Sequence, residues 1–265
     1  MSTMNEPDEH HVAVNRAHWD RTAPEMVASA ERLWASERIT WGLWDLPESE
    51  VGLLGDPPID LAGLRAIELG CGTAYVAGWL ARRGASVTGV DVSPQQLSTA
   101  RRLADAHRVD LTLLEADAEA TGLPPGTFDL AVSEYGASLW CDPERWIVEA
   151  ARLLRPGGRL AFLTSSPFVS LASPVDGSLP VTERFERPWF ELERLDWRGA
   201  LDLPGGIEFV AAAPRWIRIL RAAGFDVVDH RELRPPAGAA DPGWGVPPAW
   251  ANRWPSEQTW VAIRR

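Results

Sequence analysis

The sequence predicts an α/β domain built on a parallel sheet, on three observations. Residues 66–69 are a short apolar run ending in the tight turn Gly70-Cys71-Gly72, and residues 75–83 follow as a helix closed by Gly84. Residues 85–91 make a second apolar strand with a carboxylate, Asp91, at its tip. Ser93-Pro94-Gln95-Gln96 then opens a helix with three concordant signals: a serine cap, proline at the first helical position and glutamine three residues after the cap. Strand, glycine loop, helix and strand in this order present free backbone N–H groups at a helix N-terminus, where an anionic ligand is favoured.

The remaining elements extend this pattern. The helix opened at Ser93 runs to about His107, residues 111–117 form a third strand ending in Ala116-Asp117-Ala118, and a turn at 122–129 leads into a fourth strand at 128–133. Asp142-Pro143 caps a helix whose apolar face holds Trp146, Ile147, Ala150 and Leu154, Pro156-Gly157-Gly158 stops it, and a strand follows at 159–164. Upstream, residues 8–38 read as one or two helices with a single apolar stripe of Trp19, Ala23, Met26, Ala30 and Leu33. Residues 40–47 and 52–63 show neither period and read as loop. Downstream, residues 165–213 exceed a minimal sheet connection, and a short hairpin of 190–197 with 207–211 about Leu203-Pro204-Gly205-Gly206 is expected there. A helix at 216–223, strands at 225–233 and 259–264, and a second insertion rich in Pro, Gly and Trp at 235–257 complete the chain. The expected division is a helical cap and loop at 1–60, then a core domain at 61–265 with cover insertions at about 165–213 and 235–257.

Composition narrows the function. At 265 residues the chain fits one elaborated domain, and no apolar run approaches the roughly 18 residues a membrane span requires. The charged start at 5–11 is unlike a signal peptide, so a cytoplasmic protein is expected. Net charge −11 disfavours a polyanionic partner such as nucleic acid. Cys71 and Cys141 lack metal-ligand spacing, the five histidines are scattered, and no metal is expected. The 14 tryptophans exceed ordinary usage, and those in the insertions suggest rigid aromatic surfaces facing a substrate.

Asp91 stands about twenty residues beyond the glycine loop, where a ribose diol lies in nucleoside-binding folds, so the loop is a nucleoside-binding candidate. The dinucleotide fingerprint would need glycine where this chain has Tyr75, and the absence of lysine excludes the phosphate loop that ends in Gly-Lys-Ser/Thr. Glu68-Leu69-Gly70-Cys71-Gly72-Thr73-Ala74, with Leu153-Leu154-Arg155-Pro156-Gly157-Gly158 further on, resembles the class I S-adenosylmethionine-dependent methyltransferases, specifically the small-molecule kind with a type 11-like core. Ala74 replaces the third glycine of the family pattern, a mild departure because alanine is still small. The resemblance covers about residues 60–165 well and extends toward the C-terminus.

That resemblance implies a Rossmann-like, doubly wound sheet of seven strands, mostly parallel with an antiparallel last strand, and S-adenosylmethionine as cofactor. It implies cofactor contacts from Glu68, Gly70, Cys71, Gly72, Thr73, Ala74, Asp91, Val92, Gln96, Asp117, Ala118 and Ser133, with Asp91 on the ribose and Asp117 on the adenine amino group. Acceptor-side candidates are Glu134 and Tyr135, which follow the fourth strand, and His18, which an N-terminal helix across the cleft mouth would bring near ligand. Methyl transfer is an in-line displacement that needs alignment, exclusion of water and sometimes proton removal, so no nucleophilic triad is required. The implied partner is a small-molecule acceptor, with neither nucleic acid nor membrane, in a monomer or homodimer. Two other readings stand beside it: a module that binds S-adenosylmethionine without transferring methyl, and a Rossmann oxidoreductase, which Tyr75 argues against.

Overall fold

The computed structural model describes residues 10–55, 58–202 and 205–265. The start of the expected N-terminal helix before residue 10 and the Leu203-Pro204 part of the expected hairpin turn lie outside the described residues. Helix α1 (His11–Ala35) is followed by a two-strand hairpin of β1 (Thr40–Trp41) and β2 (Leu46–Pro47) and the single turn α2 (Glu48–Val51). The core alternates β3 (Arg65–Leu69), α3 (Tyr75–Ala81), β4 (Ser86–Asp91), α4 (Pro94–His107), β5 (Thr112–Glu115), β6 (Phe128–Glu134), α5 (Ala137–Trp140), α6 (Pro143–Leu153) and β7 (Leu154–Ser165). Then come α7 (Pro167–Ala172), the hairpin of β8 (Arg194–Asp196) and β9 (Ile207–Phe209), α8 (Ala213–Ala222), β10 (Phe225–Leu233), α9 (Pro248–Ala251) and β11 (Glu257–Arg264).

Seven strands form one sheet in the order β10-β11-β7-β6-β3-β4-β5. β5, β4, β3, β6 and β7 pair in parallel, while β11 runs antiparallel to both β7 and β10. The expected antiparallel last strand is therefore β11. Strand order reverses about β3, so the crevice at the carboxyl ends of β3 and β6 is the topological switch point, where folds of this kind bind ligands. Buried apolar side chains pack on both sheet faces, with Leu97, Trp79 and Val87 in one cluster and Trp146, Phe162, Trp216 and Trp260 in the other.

The cap signals read from sequence are met. The Ser93 side chain accepts from the Gln96 N–H at 3.1 Å, and Asp142 caps α6 by accepting from the Glu144 N–H at 2.9 Å. Two readings need correction. Residues 40–47 are a strand hairpin, because their regularity comes from pairing with each other and with distant carboxylates. Strand pairing begins at Leu154, so Pro156-Gly157-Gly158 lies inside β7 at a register shift, where a side chain at Gly158 would press on the Arg155 carbonyl. Several tryptophans outside the insertions are core residues: Trp146 on α6, Trp216 on α8 and Trp260 on β11 are fully buried.

Helix α1 crosses the cleft mouth. Trp19, Met26, Ala30 and Leu33 of its apolar stripe line the ligand crevice, and its C-terminal turn anchors on the glycine loop through the Trp34 indole N–H, which donates to the Thr73 carbonyl at 2.8 Å.

Candidate active site

The glycine loop is shaped by the backbone that it approaches. A side chain at Gly70 would collide with the backbone of Gly136 and Ala137, because the turn after β3 lies directly against the turn after β6. Gly72 has φ +52° and open space where a Cβ would stand, and it lines the cleft. Ala74 takes φ +58°, the left-handed conformation a glycine adopts freely, at a cost of roughly 1–2 kcal/mol.

Carboxylates fasten this loop. Asp91 Oδ2 accepts from the Gly72 N–H at 2.7 Å and Oδ1 from the Ser93 N–H at 2.8 Å, leaving further lone pairs toward the cleft. Glu68 accepts from the Ala77 N–H at 2.8 Å, binding the end of β3 to the first turn of α3. Burial raises the Asp91 carboxyl, and burial together with Glu134 and Asp91 raises Glu68 well above its ordinary range. Burial also pushes the Cys71 thiol up, so it is an inert wall residue.

The crevice encloses about 490 Å³. Its lining includes Glu68, Gly70, Cys71, Gly72, Thr73, Asp91, Val92, Gln96, Asp117 and Ala118 among the expected cofactor residues, and Glu134 and Tyr135 of the acceptor side. Three expected residues lie outside the lining. Ala74 is fully buried behind the loop, and the buried Ser133 hydroxyl donates to the Leu69 carbonyl at 2.8 Å. His18 is stacked against Trp140 in a separate surface depression, with burial lowering its pKa to about 4. The residue that α1 does deliver to the crevice is its neighbour, Trp19.

Two carboxyl–phenol pairs close the far end of the sheet. Tyr75 donates its hydroxyl to Glu134, whose other oxygen accepts from the Gly42 N–H at 2.6 Å. Tyr135 donates to Glu257 at 2.6 Å, and the same oxygen accepts from the Leu43 N–H at 2.7 Å. Burial lifts Glu134 and Glu257 each to about 7. Tyr135 sits at φ +52°, a strained conformation for a bulky residue, held by its hydroxyl bond to Glu257. The sequence reasoning singled out Glu134 and Tyr135 but missed Glu257 and gave Tyr75 no role. The one signal for Glu257 was a carboxylate at the start of the last strand, β11, whose middle is apolar.

Asp117, Glu119 and Cys141 bring ligand-type atoms within 4.8 Å of one another. Glu119 is already engaged with His11 Nε2 at 2.5 Å, Arg145 Nε at 2.8 Å and the Asp142 N–H at 2.8 Å, which makes it a structural ion-pair partner.

The donor set suits S-adenosylmethionine. Glu68, Asp91, Asp117 and Glu134 line the crevice against one arginine, Arg32, which favours a ligand with a sulfonium and an ammonium group. The open space over Gly72 leaves room for a ligand to meet the backbone.

Residues 67–162 match the family described as a methyltransferase domain. The chain is 34% identical over 179 residues to a demethylmenaquinone methyltransferase of Thermus thermophilus, covering 65% of this chain and 79% of that protein. It is 31% identical to the chloroplastic 2-methyl-6-phytyl-1,4-hydroquinone methyltransferase 2 of Oryza sativa subsp. japonica, with 63% of this chain covering 47% of the relative, so it spans about half the length of that plant enzyme. Among solved structures, an S-adenosylmethionine-dependent methyltransferase of Mesorhizobium loti superposes with TM-score 0.65 at 25% identity, over 84% of this chain and 100% of that one. The [4+2]-cyclase SpnF also gives TM-score 0.65, at 20% identity and over 99% of both chains, a likeness of fold alone. With the glycine loop, the carboxylate at the end of β4 and the strand order in place, the chain belongs to the S-adenosylmethionine-dependent methyltransferases that act on small molecules.

Proposed function

We propose that the acceptor is a compact aromatic molecule of the phenol or hydroquinone class, and that Glu134 receives the proton it gives up. The observation that carries this reading is that the crevice lined by Glu134 and Tyr135 also has walls made of Trp19, Trp140, Trp197, Trp244 and Val169. Such walls bury apolar ring surface at about 25 cal/mol per Å² and exclude water from the transfer step. A chamber of this kind suits an enzyme better than a module that only binds the cofactor. The relatives named for menaquinone and hydroquinone methylation support a ring of this class.

In this reading Asp91 and Asp117 hold the nucleoside, and Glu68 and the glycine loop place the methionine end. S-adenosylmethionine, when bound, supplies a methyl group on a sulfonium. Glu134, with a pKa of about 7, is partly ionised near neutrality and suited to accept a proton from an acceptor hydroxyl. Tyr75 and the Gly42 N–H fix its orientation. Polyanions are disfavoured by the net charge of −11, and a monomer or homodimer suffices because one chain supplies both halves of the crevice. Among the described residues no helix is long and apolar enough to cross a membrane.

Purified protein given labelled S-adenosylmethionine and a panel of phenols and hydroquinones should release adenosylhomocysteine with one label per product molecule. Tight S-adenosylmethionine binding with no turnover across the aromatic panel would overturn the acceptor class.

A further inference from the structure

The tip of the β1–β2 hairpin rests on two carboxyl groups from distant parts of the chain. The N–H groups of consecutive residues, Gly42 and Leu43, donate to Glu134 at the end of β6 and to Glu257 at the start of β11. Both tip residues line the crevice, and both the hairpin and Glu257 lie outside the residues 67–162 that match the methyltransferase domain. A side chain at Gly42 would collide with the Glu257 carboxyl, so the tip backbone lies directly against that group, which is fully buried.

The two carboxyls are bonded differently. Glu134 accepts one hydrogen bond on each oxygen, from the Gly42 N–H and from the Tyr75 hydroxyl, a pattern that suits a carboxylate. Glu257 takes both of its bonds on Oε1, from the Leu43 N–H at 2.7 Å and the Tyr135 hydroxyl at 2.6 Å, while Oε2 is buried and meets no donor. Two bonds fill the two lone pairs of a carbonyl oxygen, and the bare Oε2 is the place for a hydroxyl proton. Ionising Glu257 would put half a negative charge on an oxygen with neither water nor donor, which costs more than one unpaired O–H. The groups facing Glu134 are Tyr75 from α3, Glu68 from β3, Asp45 from the hairpin, and Tyr135 and Glu257, and those facing Glu257 are Tyr135 and Glu134. All are acidic or phenolic, so ionising both carboxyls sets two like charges against one turn. Burial raises both, and the charge of Glu134 adds to the rise at Glu257.

We propose that Glu257 is the protonated partner of Glu134: it keeps its proton on Oε2 while Glu134 ionises, and so seats the hairpin tip and Tyr135 without a second charge beside the acceptor-side base. This rests on the reading of Glu134 as that base, and it makes Glu257 a positioning residue that acts through Glu134 and Tyr135 and does not touch the acceptor. A charged Glu257 would hold Glu134 protonated through neutrality, whereas a neutral one lets Glu134 ionise first. The protonated carboxyl still accepts from Leu43 and Tyr135, so the hairpin tip keeps both contacts whichever way Glu134 titrates.

The test is an infrared difference titration between about pH 5 and 9, on protein saturated with adenosylhomocysteine, following the carbonyl stretch of protonated carboxyls. Glu68 and Asp91 also carry raised carboxyls, so each step is assigned by the variant that removes it. Wild type should lose a Glu134 band first and a Glu257 band at higher pH. Glu257→Gln should remove the later step and leave the Glu134 step at its wild-type pH, because one neutral group replaces another. Glu134→Gln should remove the earlier step and move the Glu257 step to lower pH. A Glu134 step that moves to lower pH in Glu257→Gln overturns the proposal, since Glu257 would then be the charged member, and so does a wild type with no step that Glu257→Gln removes. In turnover of the phenols and hydroquinones named above, Glu257→Leu should lower kcat at least about tenfold with little change in KM for S-adenosylmethionine, and Glu257→Gln should restore most of that loss. An unchanged kcat in Glu257→Leu overturns the positioning role. If none of those acceptors is methylated, the reading of Glu134 as base fails and the positioning role with it, while the infrared titration still decides which carboxyl holds the proton.

Discussion

Replacing Glu134 with glutamine tests the buried carboxyl at the centre of the site. Its pKa rises from 4.5 to about 7 because burial outweighs the hydrogen bonds from Tyr75 and Gly42. The folded protein thus holds this proton more tightly than the unfolded chain. The resulting stability is fully present below pH 4.5 and lost as pH climbs to about 7, above which the ionised form costs about 3 kcal/mol relative to the protonated one. Glutamine cannot ionise, so Glu134→Gln should be close to wild type or slightly less stable near pH 5. It should gain on wild type through pH 7, by at most about 3 kcal/mol, less about 1 kcal/mol for a hydrogen bond its amide cannot accept. Glu257 rises to about 7 as well, partly through Glu134, and Asp45 also faces Glu134, so part of the gain is relief of that mutual repulsion. Urea unfolding followed by tryptophan fluorescence at several pH values between 5 and 8 reads the difference. Parallel stability curves for the two proteins would refute the assignment of a shifted carboxyl to this position. If Glu134 also takes the acceptor's proton, kcat/KM should fall by about 10²–10⁴, and the rise in rate near pH 7 should disappear.

Three further outcomes are expected. Asp91→Ala should lose one or two charge-assisted hydrogen bonds to the cofactor, roughly 1.5–3 kcal/mol each, while the protein still folds, and unchanged affinity by calorimetry would remove Asp91 from the ribose. Gly72→Val places a branched side chain in the crevice at a backbone angle that disfavours it, so cofactor binding should vanish while thermal unfolding stays cooperative; normal binding would take the loop out of the site. Asn15→Leu cuts the three hydrogen bonds that join α1 to β9 and Trp140, and hydrogen exchange at 194–196 and 207–209 should quicken with stability down by about 1–3 kcal/mol. Unaltered exchange would mean that packing alone holds the hairpin.

The tryptophan-rich insertions answer one question from the sequence in two ways. Trp197 and Trp244 line the crevice, whereas Trp250 is 7% exposed and donates its N–H to the Thr182 carbonyl at 2.7 Å, a structural role. Spacing within an insertion carries no information about which ring faces the cavity, since the surrounding residues lack a regular period.

What the sequence determined by itself is everything governed by neighbours along the chain. The turn at Gly70 and Gly72, the cap at Ser93, the strand periods and the carboxylate ending β4 are set within a few residues, where backbone sterics, capping and side-chain alternation act, and the glycine loop with Asp91 was therefore legible together with the fold. The tertiary structure decided what depends on remote contacts. Leu43 reaches Glu257 across 214 positions, Tyr135 reaches the same carboxylate across 122, and Asn15 reaches Ile207 across 192. No local pattern encodes those pairs; the first two join Tyr135 and the hairpin at 40–47 to Glu257 in one buried acid–phenol contact, and the third ties α1 to β9. The same holds for His18 and Trp19: one residue of difference along α1 is a rotation of about 100° about the helix axis. Only the packing of α1 on α3 and α4 fixes which of the two enters the crevice.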